Sequence, residues 1–193
     1  AGAWSDRRGH VRLSLFHERI RNALISQTAP LVPGSTTLFS YVQNVPEVRT
    51  NGIELAFDRR GVLSGLDVSG SLTLADPEVV EDPAFPAAEG KTLPQVPRRR
   101  ATLVLSYRPD ERTTLTLAGR YASRSFGTID NGDVVGHTFQ GFEGYAVLDA
   151  RAHFRLTRKW QAALGVENLG NHKYYLFHPF PQRSFTGELT YRW

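Results

Sequence analysis

The chain has 193 residues, 23 Lys and Arg against 19 Asp and Glu, a formal charge of +4, 40% hydrophobic residues, and neither Cys nor Met. The lack of cysteine excludes a disulfide framework and a thiolate metal site. No apolar run approaches the ~18 residues of a membrane helix, and no basic stripe interleaved with aromatics points to nucleic acid.

Residues 1–4 read as the tail of a strand whose beginning is missing. No charged segment followed by an apolar stretch opens the chain, so a signal peptide is absent. Together with the missing initiator Met, this reads as excision from something longer. Eight strand-like segments follow, at 10–26, 37–58, 65–76, 99–108, 113–126, 144–157, 159–169 and 183–193. Several alternate cleanly, which puts apolar and polar side chains on opposite faces. Leu66, Val68, Gly70, Leu72 and Leu74 oppose Asp67, Ser69, Ser71 and Thr73. Ala101, Leu103, Leu105 and Tyr107 oppose Thr102, Val104 and Ser106. Leu115, Leu117, Gly119 and Tyr121 oppose Thr114, Thr116, Ala118 and Arg120. Trp160, Ala162, Leu164 and Val166 oppose Gln161, Ala163, Gly165 and Glu167. In the last segment Phe185, Leu189, Tyr191 and Trp193 oppose Ser184, Thr186, Glu188, Thr190 and Arg192.

Short turns at 6–9, 59–61, 109–111 and 157–159 alternate with long loops at 27–36, 77–98, 127–143 and 170–182. Every long loop therefore falls at one end of the strands. That asymmetry, with one greasy and one polar face, predicts an all-β fold: a transmembrane antiparallel up-and-down β-barrel of the bacterial outer membrane. Phe57, Tyr107, Trp160 and Trp193 share the apolar parity and map to the short-turn end, with Phe154 one turn further in. An interfacial aromatic girdle has this pattern.

Several runs are similar to the C-terminal barrel half of TonB-dependent outer-membrane receptors. They are 11–22 with Leu15-Phe16 and Ile20-Arg-Asn22; Asn44-Val45 followed by Thr50-Asn-Gly-Ile-Glu-Leu55; Leu93-Pro-Gln-Val-Pro97 with Tyr107-Arg-Pro109; and Gly165-Val-Glu-Asn-Leu169, Lys173-Tyr-Tyr175 and Pro181-Gln-Arg183 before the terminal aromatic. The resemblance spans nearly all of 1–193. It implies about the last eight strands of a 22-stranded barrel, with the plug domain and signal peptide absent. It also implies a parent that takes up a ferric siderophore or similar metal chelate. The TonB complex would be reached only through the missing N-terminal part. The alternative is a small self-contained eight-stranded outer-membrane barrel with a structural or adhesion role.

The resemblance further implies that Phe185, Leu189, Tyr191 and Trp193 form the signal read by the barrel-assembly machinery. A chelate would meet the outer loops at His137, Phe139, His172, Tyr174, Tyr175, His178 and Arg183. Aromatic faces suit aryl chelators, and imidazole or cationic groups suit anionic ones. The same residues also suit an aromatic rim packed on the barrel, which is the simpler reading. His172 and His178, six apart, do not have a metal-ligand spacing. Arg120, Arg124, Arg151, Asp149, Glu167 and Glu54 face inward, with Arg151 and Asp149 placed to pair with neighbouring strands. Lipid and lipopolysaccharide phosphates are the remaining partners. No cofactor and no catalytic set are expected, and the chain reads as no enzyme.

Overall fold

The structure, a computed structural model, describes residues 1–29, 37 and 39–193. Nine strands form one antiparallel sheet in chain order. They are β1 (Gly2–Asp6), β2 (Gly9–Ala29), β3 (Phe39–Leu63), β4 (Leu66–Glu81), β5 (Arg99–Tyr107), β6 (Thr113–Ala122), β7 (Tyr145–Arg155), β8 (Trp160–Glu167) and β11 (Ser184–Tyr191). Between the last two, β9 (Tyr175–Leu176) and β10 (His178–Pro179) make a separate ribbon. Apart from these, each strand pairs with its predecessor, the meander that short turns and period-two alternation specify. β1 and β11 are the edges, so the sheet is open. The one helical turn among the described residues is a 3-10 turn at Pro86–Ala88.

The structure departs from the expected segments in five places. Residues 2–6 form a full strand paired with β2, which makes nine strands in the sheet rather than eight. β3 runs on to Leu63, so the chain reverses at Ser64-Gly65 and not at Arg59–Gly61. Gly65 takes φ 75°, which a side chain rarely tolerates. β4 continues through Pro77 to Glu81, into the expected loop. β6 stops at Ala122, four residues early. The expected loop at 27–36 is strand up to Ala29, and from residue 30 it lies outside the described residues.

Register fixes the two faces. Trp4, Val11, Phe57, Gly70, Leu103, Gly119 and Leu148 form one continuous row across seven strands. One residue along, Arg12, Ala56, Ser71, Thr102, Arg120 and Val147 form a row on the opposite face. There the Ser71 and Thr102 hydroxyls lie 2.7 Å apart. The apolar face is uncovered: Leu15, Leu103, Leu148, Leu164, Phe185 and Leu189 are all exposed. A water-soluble sheet would bury such a face against a second layer.

At the short-turn end Tyr107 closes β5, and Trp160 packs on Tyr191 with centroids 4.9 Å apart. Trp193 lies just past β11, fully exposed. Phe57 departs from the expected girdle. It sits six residues inside the end of β3, with its ring across Gly70, where an added Cβ would stand 2.9 Å from it. The glycine makes room for the ring, and the ring covers the gap left by a residue with no side chain. Trp4 and Tyr191 take places in the girdle that were not foreseen.

The buried core sits at the opposite end. Val45, Val48, Val79, Ala88 and Ile129 cluster there, with Ala23, Ile25, Phe85 and Leu93 packed around them. It holds the loops onto the projecting ends of β2, β3 and β4.

Candidate functional site

Three long connections, 82–98, 123–144 and 168–183, gather at this end and are tied to one another. Asp82, fully buried, accepts a hydrogen bond from the Gln43 amide on β3. Asn131 accepts from the Thr92 N–H (2.9 Å) and donates to the Thr92 carbonyl (2.9 Å), joining the first loop to the second. Ile129 carries that junction into the core cluster. Asp133 accepts from the Gly127 N–H (2.7 Å) and the Thr128 hydroxyl (2.9 Å), folding the second loop on itself.

Glu143 joins the second loop to the third. Its carboxylate accepts from the backbone N–H of His137 (2.6 Å) and of Tyr175 (2.9 Å). Backbone bonds from Gln140 to Phe177 and from Phe177 to Gly141 extend the seam. Asn168 then pins the third loop to the sheet. Its backbone N–H donates to Asp149 (2.8 Å), its amide donates to the His172 carbonyl (2.9 Å), and its side-chain oxygen accepts from the His172 N–H (2.9 Å). Such saturation is what buried backbone groups in a loop require.

The ligand residues named from the sequence fall into two groups. His137, Phe139, Tyr175 and His178 come together on an open surface. Phe139 meets Tyr175 edge-on at 6.1 Å and His178 at 6.2 Å, and is 64% exposed. His137 lies at the rim, its Nδ1 3.4 Å from Glu143. His172 and Tyr174 are elsewhere. Tyr174 is stacked between Tyr145 (4.6 Å) and Phe180 (4.8 Å), with His172 against it at 5.8 Å, and is only 3% exposed. Burial pushes its phenol up to about 12, with the neighbouring Tyr145 adding to the effect. Tyr174 is therefore part of the packing under the loop. Arg183 donates its backbone N–H to Asn171 (3.1 Å), and its guanidinium has no ion pair among the described residues.

Of the inward residues, Arg120 on β6 pairs with Asp149 on the adjacent β7 at 2.9 Å, and Arg151 on β7 reaches across β8 to Glu188 on β11 at 2.8 Å. Glu54 and Glu167 share that face, without an ion pair among the described residues. Arg124 departs from the expected wall. It lies past the end of β6, and its guanidinium donates to the carbonyls of Val134 (3.0 Å) and Asp133 (2.5 Å). A recess of about 350 Å³, lined by Arg120, Asp149, Glu167, Tyr174, Gln182 and Ser184, opens between the wall and the third loop. Glu143, Asn168 and Asn131 were not singled out in the sequence. Their partners are backbone groups up to 39 residues away, and no spacing rule connects them. Among the described residues no three His, Asp or Glu converge as a metal site.

On β11, Phe185, Leu189 and Tyr191 are exposed on the apolar face and pair with Val166, Ala162 and Trp160 on one side only.

Residues 2–169 match the family described as TonB dependent receptor-like, beta-barrel. No curated protein matches the sequence. Among solved structures, the ferric-catecholate import receptor Fiu from E. coli K12 matches at 24% identity and TM-score 0.70, over 96% of this chain and 25% of that one. The ferric yersiniabactin uptake receptor FyuA from Yersinia pestis matches at 17% identity and TM-score 0.71, over 97% and 26%. The copper transporter OprC matches at 19% identity and TM-score 0.70, over 98% and 30%. At these identities the likeness is one of fold, and the chain spans between a quarter and a third of each of these structures.

Proposed function

Because the chain belongs to the TonB-dependent receptor β-barrel family, a family of outer-membrane receptors and transporters, we propose that residues 1–193 are the C-terminal wall of such a barrel, with a metal chelate as the ligand of the complete protein. The apolar face meets lipid, the polar face lines the lumen, the short turns face the periplasm and the long loops face outward. The plug and the contact with the TonB complex belong to other parts of the receptor. Lipopolysaccharide phosphates meet the outer rim. Phe185, Leu189, Tyr191 and Trp193 serve as the signal for the barrel-assembly machinery, since an outward-greasy edge strand is a template for pairing.

The observation that supports the ligand assignment is the joint surface of His137, Phe139, Tyr175 and His178, drawn from two loops that Glu143 locks together. Ring faces and imidazoles at one exposed patch suit an aryl, anionic metal chelate. The complete protein, titrated with a ferric catecholate, a ferric hydroxamate and a copper chelate, should bind one class. Phe139→Ala and Tyr175→Ala should each weaken that binding about fivefold or more. If no chelate binds, or both variants bind as the unaltered protein does, the assignment is wrong. The self-closing eight-stranded barrel has no supporting observation, since among the described residues β1 and β11 have no strand partners but β2 and β8.

A further inference from the structure

Charge is unevenly distributed along the strand axis. The short-turn end, taken as residues 6–9, 58–67, 107–113, 155–160 and 191–193, holds ten of the 23 Lys and Arg but only five of the 19 Asp and Glu. That end is therefore +5, while the rest of the chain is −1. Three of the five acids are already engaged: Asp6 by Arg59, Asp58 by His10 and Asp67 by Arg108. A fourth, Asp110, accepts the N–H groups of Arg112 (2.7 Å) and Thr113 (2.8 Å), and those bonds hold its carboxyl below the usual range. Among the described residues no carboxylate pairs with Arg7, Arg8, Arg60, Arg112, Arg158 or Lys159, and all six are exposed.

A second observation fixes the depth of this charge. The Arg59 guanidinium lies over the Trp4 ring at 5.7 Å, and the Lys159 ammonium lies over the Tyr191 ring at 5.8 Å. Trp4, Trp160 and Trp193, the three tryptophans of the chain, are all at this end. Amphipathic rings settle at the headgroup level of a bilayer. Cations seated on those rings or one turn beyond them stand at the depth of lipid phosphates. Attraction to an anionic surface falls off within a Debye length, so this depth is where it acts.

We propose that the short-turn rim is a binding surface for anionic phospholipid headgroups of the periplasmic leaflet, with Arg7, Arg8, Arg158 and Lys159 as its free cations. This rests on the membrane-wall reading above. The test is electron spin resonance on the complete protein reconstituted in phosphatidylcholine bilayers with spin-labelled lipid. Labelled phosphatidylglycerol should be immobilised at the protein at least about threefold over labelled phosphatidylcholine at low salt. The preference should shrink toward parity near 1 M salt, where the Debye length is ~3 Å. Arg7→Gln with Arg8→Gln, and separately Arg158→Gln with Lys159→Gln, should each lower it, while Arg98→Gln with Arg99→Gln at the other end should not. Parity in the unaltered protein, or a preference untouched by either rim pair, overturns the proposal. So does lipid parity combined with retention on isolated peptidoglycan, which would assign the rim to cell-wall carboxylates. Absence of any immobilised phosphatidylcholine would refute the membrane-wall reading instead.

Discussion

Asn168 follows β8 directly with φ 52°, a left-handed conformation that Asn tolerates better than most side chains. It is buried and spends its whole amide on the third loop. Asn168→Ala should lose those bonds and keep the unfavourable backbone, at a local cost of about 1–3 kcal/mol. Amide exchange at His172 should quicken while exchange in β5 and β6 stays unchanged; an unaffected His172 amide would contradict this role. Tyr174 gives a pH test. In the unfolded chain its phenol ionises near 10, and in the folded chain it stays protonated to about 12. A raised pKa means that the stack's contribution is complete below pH 10 and is lost as pH climbs from 10 to 12. In a tyrosine-resolved titration Tyr174 should ionise above the ordinary tyrosine range, near 12, and Tyr174→Phe should abolish that late step while preserving the stack. Ionisation of Tyr174 near 10 would show that the phenol is not desolvated. Neither role was legible beforehand. Asn168 was visible only as part of a run resembling the family, and Tyr174 was expected at the chelate surface of the outer loops, not in a buried stack.

At the scale of the strand, alternation was legible wherever a strand has one lipid-like and one polar face. β5, β6, β8 and β11 follow it almost to the residue. It failed where strands leave that setting. β4 continues past Asp76 because Pro77 and Val79 bury themselves under the first loop, and β3 supplies Val45 and Val48 to the same cluster. Proline normally demotes a strand assignment, and a run buried by loops has no reason to alternate. The face assignment predicts an asymmetry within β6. Leu117 is in register with Leu105 and Ala150 at mid-strand on the apolar face, and Arg120 lies on the other face, paired with Asp149. Leu117→Arg should destabilise the bilayer-inserted protein by about 2–4 kcal/mol. Arg120→Leu should cost under about 1 kcal/mol, since that pair is half-exposed. Reversible denaturant unfolding in lipid would measure both. Equal costs would mean that the faces are assigned the wrong way round.

Across the whole molecule, the sheet is held by a meander of neighbouring pairings and by one small core, and that core lies at the loop end and not between layers. Among the described residues nothing covers the apolar face, and no strand covers the outer edges of β1 and β11. The apolar face can be satisfied by detergent or lipid. The edges cannot, because hydrocarbon offers no hydrogen bonds to unpaired N–H and C=O groups. Residues 1–193, made as a separate chain and refolded in detergent, should therefore self-associate through β1 and β11, since exposed strand edges recruit one another. The complete receptor proposed above would pair both edges internally and should remain monomeric under the same conditions. Sedimentation in density-matched detergent distinguishes the two. Proline placed at Gly187 and Leu189 of β11, whose N–H groups point away from β8, should reduce the self-association by removing edge donors. A monomeric isolated chain with strand content intact would mean that this sheet can curl and satisfy its own edges. That result would revive the small closed barrel and remove the need for a larger parent.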